Sequence, residues 1–254
     1  MGAIKQIIIV GGGSSINGIP KDELNSRLKN RLVIACNVQY RFRPHTFSCW
    51  IDKQGLYEQE LKHWYQEFTS ERLWVCRWLD ECFTGYQTNL SYNNIPPYPA
   101  NHHPLKIINE FDPTLKKGVY ASNCGMFALT LASYLLDGEG EIFLLGFDNR
   151  IDPDQMAYHC LDERDINYNY RGLDFCRKNR LPKQYYDENH PKHYQPYQPY
   201  LTLEELKIYN VNPNSWIKPF EKIDYRSFFE SLNPTVFSDQ QLQVYVKNRL
   251  AKIG

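Results

Sequence analysis

Neither sign of charge is in excess in this chain. Its 254 residues carry 29 Lys and Arg against 29 Asp and Glu. A protein that coats nucleic acid neutralises phosphates with clustered cations, so this balance excludes a general nucleic-acid coat and leaves room only for a local basic groove. There is no apolar stretch long enough to span a bilayer, and the residues before Ile7 do not read as a signal peptide. There is no C-x-x-C pair. The seven cysteines, Cys36, Cys49, Cys76, Cys82, Cys124, Cys160 and Cys176, are odd in number and scattered, which speaks against a zinc ribbon. Several lie in apolar runs, where a free cysteine acts as a small buried hydrophobe. A soluble, cytoplasmic, reduced protein is expected. Internal repeats are absent, and so is a G-x-x-x-x-G-K-S/T loop, which excludes the common phosphate-loop nucleotide site.

What is present begins at Ile7-Ile8-Ile9-Val10, an apolar β-branched run that stops at Gly11-Gly12-Gly13-Ser14-Ser15-Ile16. That pattern is a buried parallel strand entering a tight turn. Three glycines with two serines exceed what a turn requires, and their backbone N–H groups can approach a phosphate or ribose closely. Ligands in open α/β sheets bind beyond the carboxyl ends of such strands.

Strand and helix signals then alternate. Strands are expected at Leu32–Cys36, Thr46–Asp52 and Leu73–Trp78, with a further extended segment at Lys106–Phe111. Helices are expected at Pro20–Lys29 and at Leu56–Phe68, where Tyr57, Leu61, Trp64 and Phe68 recur on one face. Tyr86–Pro104, rich in Asn, Pro and Tyr, reads as a surface loop. Ser122-Asn123-Cys124-Gly125 opens a second unit. Ser122 or Asn123 suits an N-cap, and Met126–Leu136 is apolar nearly all round, as in a buried helix. Glu141–Asp148 reads as a central strand ending at Gly146 and Asp148.

From Asn149 to about Tyr200 the periodicity dissolves into a polar segment rich in Tyr, Asp, Asn, Arg, His and Pro, the length of a lid or binding loop. Lys207–Val211 is a further strand, followed by Asn212-Pro213-Asn214-Ser215, and Tyr225–Leu232 and Gln240–Leu250 are closing helices. The expectation is one α/β domain over 1–254, a doubly wound, mostly parallel Rossmann-like sheet with a lid-like insertion at 149–200.

Three segments in this order, Val10–Ile16, Ala121–Asp148 and Ile208–Ser215, resemble the bacterial sialyltransferases that use a CMP-activated sugar on a GT-A-like sheet. They look equally like a broader group of phage and bacterial proteins sharing that sheet, including relatives of the archaeal 6-hydroxymethylpterin diphosphokinases. The sialyltransferase pattern runs roughly G-N-G-P-S-L, a Cys-Asn pair after strand two, a helix opening S-G, a strand ending G-x-D and a C-P-N-S turn. Cys36-Asn37, Cys124-Gly125, Gly146-Phe147-Asp148 and Asn212-Pro213-Asn214-Ser215 fall in the matching places, over about half of the chain.

The resemblance implies that Gly11, Gly13 and Ser15 approach the nucleotide, and that Asn37 bonds the sugar donor. It further implies that Ser122, Asn123 and Gly125 present a helix N-terminus to phosphate, and that Asn214 and Ser215 hold the nucleoside. The chain departs from the pattern at Gly12, where the family has asparagine, at Ser14, where it has proline, and at Cys124, where it has serine. Those departures bear on the identity of the sugar more than on the nucleotide.

A sugar transfer needs a base for the acceptor hydroxyl, and histidine titrates in the useful range. The family places its histidine shortly before the last strand, where His190 and His193 lie; His193 is the preferred base and His159 the reserve. Asp148, at the sheet edge, could hold a hydroxyl, a metal or only a turn, and Asp52 holds a similar place. Asp152-Pro153-Asp154 has the form of a metal-binding D-x-D but reads as a turn, and His102-His103 has no partner at metal-ligand spacing. Tyr185, Tyr186, Tyr194 and Tyr197 could bond phosphate or stack on a base; Arg164, Arg171, Arg177 and Arg180 could stabilise a leaving phosphate.

The resulting expectation is a metal-independent glycosyltransferase taking a CMP- or UDP-type donor, its acceptor a glycan or a modified phage DNA base. An ATP- and Mg2+-dependent diphosphokinase, with Asp52 and Asp148 on the metal, and a non-catalytic protein that binds or sequesters a nucleotide are the alternatives.

Overall fold

The computed structural model describes residues 4–36, 44–50, 73–76, 102–104, 124–150, 188–189, 191 and 194–252. The expected helix at Leu56–Phe68 and extended segment at Lys106–Phe111 lie outside them.

The fold is α/β and Rossmann-like. Eight strands form one sheet: β1 (Gln6–Val10), β2 (Val33–Cys36), β3 (Phe47–Trp50), β4 (Leu73–Cys76), β5 (His102–Pro104), β6 (Gly140–Leu145), β7 (Leu206–Asn210) and β8 (Glu221–Lys222). Their order is β5-β4-β3-β2-β1-β6-β7-β8, and every pairing is parallel. The chain therefore winds outward from β1 in one direction, then returns to lay β6, β7 and β8 on its other side.

Side-chain alternation along the strands feeds two cores. Ile7, Ile9, Ile34, Phe47, Ile142 and Leu144 face the helices α2 (Cys124–Leu135) and α4 (Asp239–Leu250), which contribute Phe127, Leu131, Leu242 and Val246. Ile8, Val10, Val33, Phe143 and Leu145 face α1 (Lys21–Leu28) and α3 (Tyr225–Ser231), which contribute Leu24, Leu28 and Phe228. Burial on both faces is why β1 and β6 read as continuous apolar runs rather than alternating ones.

Local chemistry fixes the helix ends. Ser238 and Gln241 form a reciprocal capping box at the start of α4. The Asp224 carboxylate accepts the Ser227 N–H at the start of α3, and that bond holds the Asp224 carboxyl below its usual range. The ends of α2 and α4 are clasped: Tyr134 donates to the Arg249 carbonyl, while the Arg249 guanidinium lies over the Tyr134 ring and bonds the Tyr134 carbonyl and Asp137.

Two expectations are corrected. His102–Pro104, placed within a loop by its composition, forms β5 beside β4. A parallel edge strand of three residues needs only a ladder of backbone bonds, so it leaves no periodicity to read. The end of the irregular segment is also ordered: Gln195–Thr202 is a 3-10 helix whose Tyr197 and Tyr200 are buried. Tyr197 packs edge-on against Phe220, and Tyr200 shares a hydrogen bond of 2.6 Å with Thr130 of α2. Tyr197 is thus a core residue rather than a phosphate contact. Among the described residues no helix is long and apolar enough to cross a membrane.

Candidate functional site at the sheet edge

The strand order reverses between β1 and β6, which lie side by side in the middle of the sheet. Ligands of open α/β sheets occupy the crevice beyond the carboxyl ends of strands at such a reversal. Here it is bounded by Gly11–Ser15 after β1, by Gly146–Asp148 after β6 and by Val211–Ser215 after β7.

The first two loops interlock. Gly11 N–H donates to Leu145 O at 2.8 Å and Gly13 N–H to Gly146 O at 2.7 Å, carrying the β1–β6 ladder past the strands. Such an approach leaves no space for side chains. A Cβ on Gly13 would lie 2.5 Å from Asp148 Cγ and 2.6 Å from Gly146 O. Gly146 has φ +67°, and a Cβ there would meet Gly11 O at 2.6 Å.

Asp148 ties all three loops together. It is buried, and its carboxylate accepts the Ser15 N–H at 2.9 Å, the Ser15 hydroxyl, and the Asn212 amide at 2.8 Å. Asn212 in turn accepts the Asn214 N–H at 2.9 Å through its side-chain oxygen. Ser215 is buried and donates to Phe147 O at 2.7 Å, while accepting from the Asn210 amide and the Ile217 N–H. Trp216 N–H closes onto Asp148 O. The Tyr225 hydroxyl donates to the Ser15 carbonyl, pinning the first loop from α3.

The residues singled out from sequence therefore divide. Gly11, Gly13 and Ser15 direct their N–H groups at the β6 loop, and Ser215 directs its hydroxyl at the protein; these four build the crevice. Gly12 and Ser14, whose N–H groups make no hydrogen bond among the described residues, are half-buried and border it. Asn214 is exposed on the third loop, and Gly125 sits half-buried in the first turn of α2. Asn37, Ser122, Asn123, His159, His190, His193, Asp52, Asp152, Asp154, Tyr185, Tyr186 and the arginines 164, 171, 177 and 180 lie outside the described residues. Asn210 was not singled out. It is wholly buried in β7 and donates to Phe147 O and Ser215 Oγ at 2.9 Å, fixing the third loop to the second. Its signal was only a polar residue ending an apolar strand.

A second convergence was not legible in the sequence. Cys36, the last residue of β2, and Cys49 of β3 are register partners, and Cys124 is the first residue of α2. All three are buried thiols outside any disulfide. Cys49 Sγ lies 3.6 Å from Cys124 Sγ and 3.9 Å from Cys36 Sγ. Hydrogen bonds from Cys124 and Cys49 pull the Cys36 thiol below its ordinary range, whereas burial pushes Cys49 well above it. Comparison of the chain with models of known families, with curated proteins and with solved structures gives no match.

Proposed function

We propose that this chain binds a nucleotide in the crevice beyond β1 and β6 and transfers the sugar it carries to a hydroxyl acceptor. The observation that supports the reading best is the coincidence of two features. The reversal of strand order falls at β1 and β6, and in the glycine-rich turn after β1 the Gly12 N–H makes no hydrogen bond among the described residues. The resemblance of Val10–Ile16, Ala121–Asp148 and Ile208–Ser215 to CMP-sugar-dependent transferases gives the chemistry. A metal-free reaction fits Asp148, whose oxygens already serve three protein donors and position the loops.

In this reaction the acceptor O–H loses its proton to a base, for which His193 is the assigned residue. The acceptor oxygen bonds to the anomeric carbon, and the bond from that carbon to the nucleotide phosphate breaks, the phosphate leaving with the electron pair. Donors around the phosphate lower the barrier by stabilising the charge it gains.

The test is a thermal-shift screen with CMP, UDP, GDP, ADP and ATP, each with and without Mg2+. A ligand of the folded state raises the melting temperature by mass action. Metal-independent stabilisation by CMP or UDP is expected, followed by donor turnover that His193→Ala removes without loss of binding. Stabilisation by ATP only with Mg2+ would replace sugar transfer with diphosphoryl transfer. No shift with any nucleotide would overturn the reading.

A further inference from the structure

We infer that Cys36, Cys49 and Cys124 form a binding site for Zn2+ or a similar thiophilic d10 cation. Three separate elements aim one sulfur each at a common point: β2 and β3 through their register, and α2 through its first residue. The three Sγ atoms all lie within 4.8 Å of one another. Zinc–thiolate bonds of about 2.3 Å place sulfurs about 3.8 Å apart in a tetrahedron and about 4.0 Å apart in a trigonal plane. The measured separations of 3.6 and 3.9 Å straddle the tetrahedral value. The Cys49–Cys124 and Cys49–Cys36 pairs would therefore meet zinc–thiolate geometry with shifts of a few tenths of an ångström.

The surroundings suit the charge as well. Three thiolates and one Zn2+ carry a net charge of −1 in a buried place, which needs compensation. The cluster sits at the N-terminus of α2, a helix of 12 residues, where the backbone dipole favours negative charge. The bonding is balanced without any oxidant: each thiol releases its proton to solvent as its sulfur joins the metal. Three protein sulfurs leave a fourth position, which water fills in open zinc sites.

The experiment uses the full chain, reduced and stripped of metal by chelation. Titration with Cd2+, read by thiolate-to-metal charge-transfer absorption, is expected to saturate at one equivalent per chain, and Zn2+ is expected to displace the Cd2+ and to raise the melting temperature. A variant with Cys76, Cys82, Cys160 and Cys176 all replaced by Ala retains the signal. Cys36→Ser, Cys49→Ser and Cys124→Ser each abolish it. Absence of the band in the wild-type chain, its loss in the folded four-alanine variant, or its survival in any of the single serine variants would overturn the assignment. The wild-type and four-alanine arms decide the matter even where a serine variant fails to fold.

Discussion

Ser15 and Asp148 are joined twice, by the Ser15 N–H at 2.9 Å and by the Ser15 hydroxyl, across the gap between the loops that follow β1 and β6. Because Asp148 also accepts from Asn212, its removal leaves donors of two loops without an acceptor in a buried setting. Asp148→Ala is expected to lower the unfolding free energy by roughly 3 kcal/mol, and Ser15→Ala, which keeps the N–H bond, by about 1 kcal/mol. Urea denaturation of the two variants and of the pair together measures both costs and their coupling. Equal stability of Asp148→Ala and wild type would show that the bonds across the crevice contribute nothing.

Gly13 is predicted to resist even a methyl group. A Cβ there meets a carboxylate carbon at 2.5 Å and a backbone oxygen at 2.6 Å, and neither is the free end of a flexible chain. Gly13→Ala should cost about 1–3 kcal/mol by forcing the β6 loop outward. Gly18→Ala, whose Cβ would find only Tyr225 Cε2 at an ordinary 3.5 Å, should be neutral or gain up to about 1 kcal/mol. Thermal melts of the two variants separate the cases.

The contrast marks what could be read from the chain. Strands buried on both faces announce themselves, which is why β1, β2 and β6 fall within or beside the apolar runs Ile7–Val10, Leu32–Cys36 and Glu141–Asp148, while β7, with Lys207 exposed, falls at the expected Lys207–Val211. The capped helices Tyr225–Ser231 and Asp239–Leu250 were legible for the same reason, their signals being local. Features made by pairing were not. Cys36 opposes Cys49 only through the β2–β3 register, and Cys124 joins them only through the packing of α2, so 13 and 75 residues of sequence separation hid the cluster. The glycines were recognised, but sequence cannot say whether an N–H points to a ligand or to a neighbouring strand.

Tyr200 tests whether the end of the irregular segment is core. The residue is 1% exposed and its hydroxyl meets Thr130 Oγ1 at 2.6 Å. Tyr200→Phe should cost about 1 kcal/mol through the lost bond, and Tyr200→Ala about 3–5 kcal/mol through the cavity. A lid residue would give neither loss, and denaturant titration of the two variants distinguishes them.

Ser14→Pro discriminates between two ways of holding a nucleotide. The exchange suits the backbone: Gly13 has φ −69° and ψ 145°, the extended conformation that a residue before proline adopts, and Ser14 begins a 3-10 helix. Stability should therefore be unchanged. The sialyltransferases that the first loop resembles carry proline at this position, so a donor held in their manner makes no use of the Ser14 N–H. Sugar transfer accordingly predicts that Ser14→Pro binds CMP or UDP as well as wild type does. If phosphate instead sits on the Ser14 N–H, the loss of a hydrogen bond to a charged group should weaken binding by about 10- to 100-fold. Calorimetric titration of wild type, Ser14→Pro and Ser14→Ala with the nucleotide that stabilises wild type decides between them, since Ser14→Ala removes the hydroxyl alone and the difference between the two variants isolates the N–H.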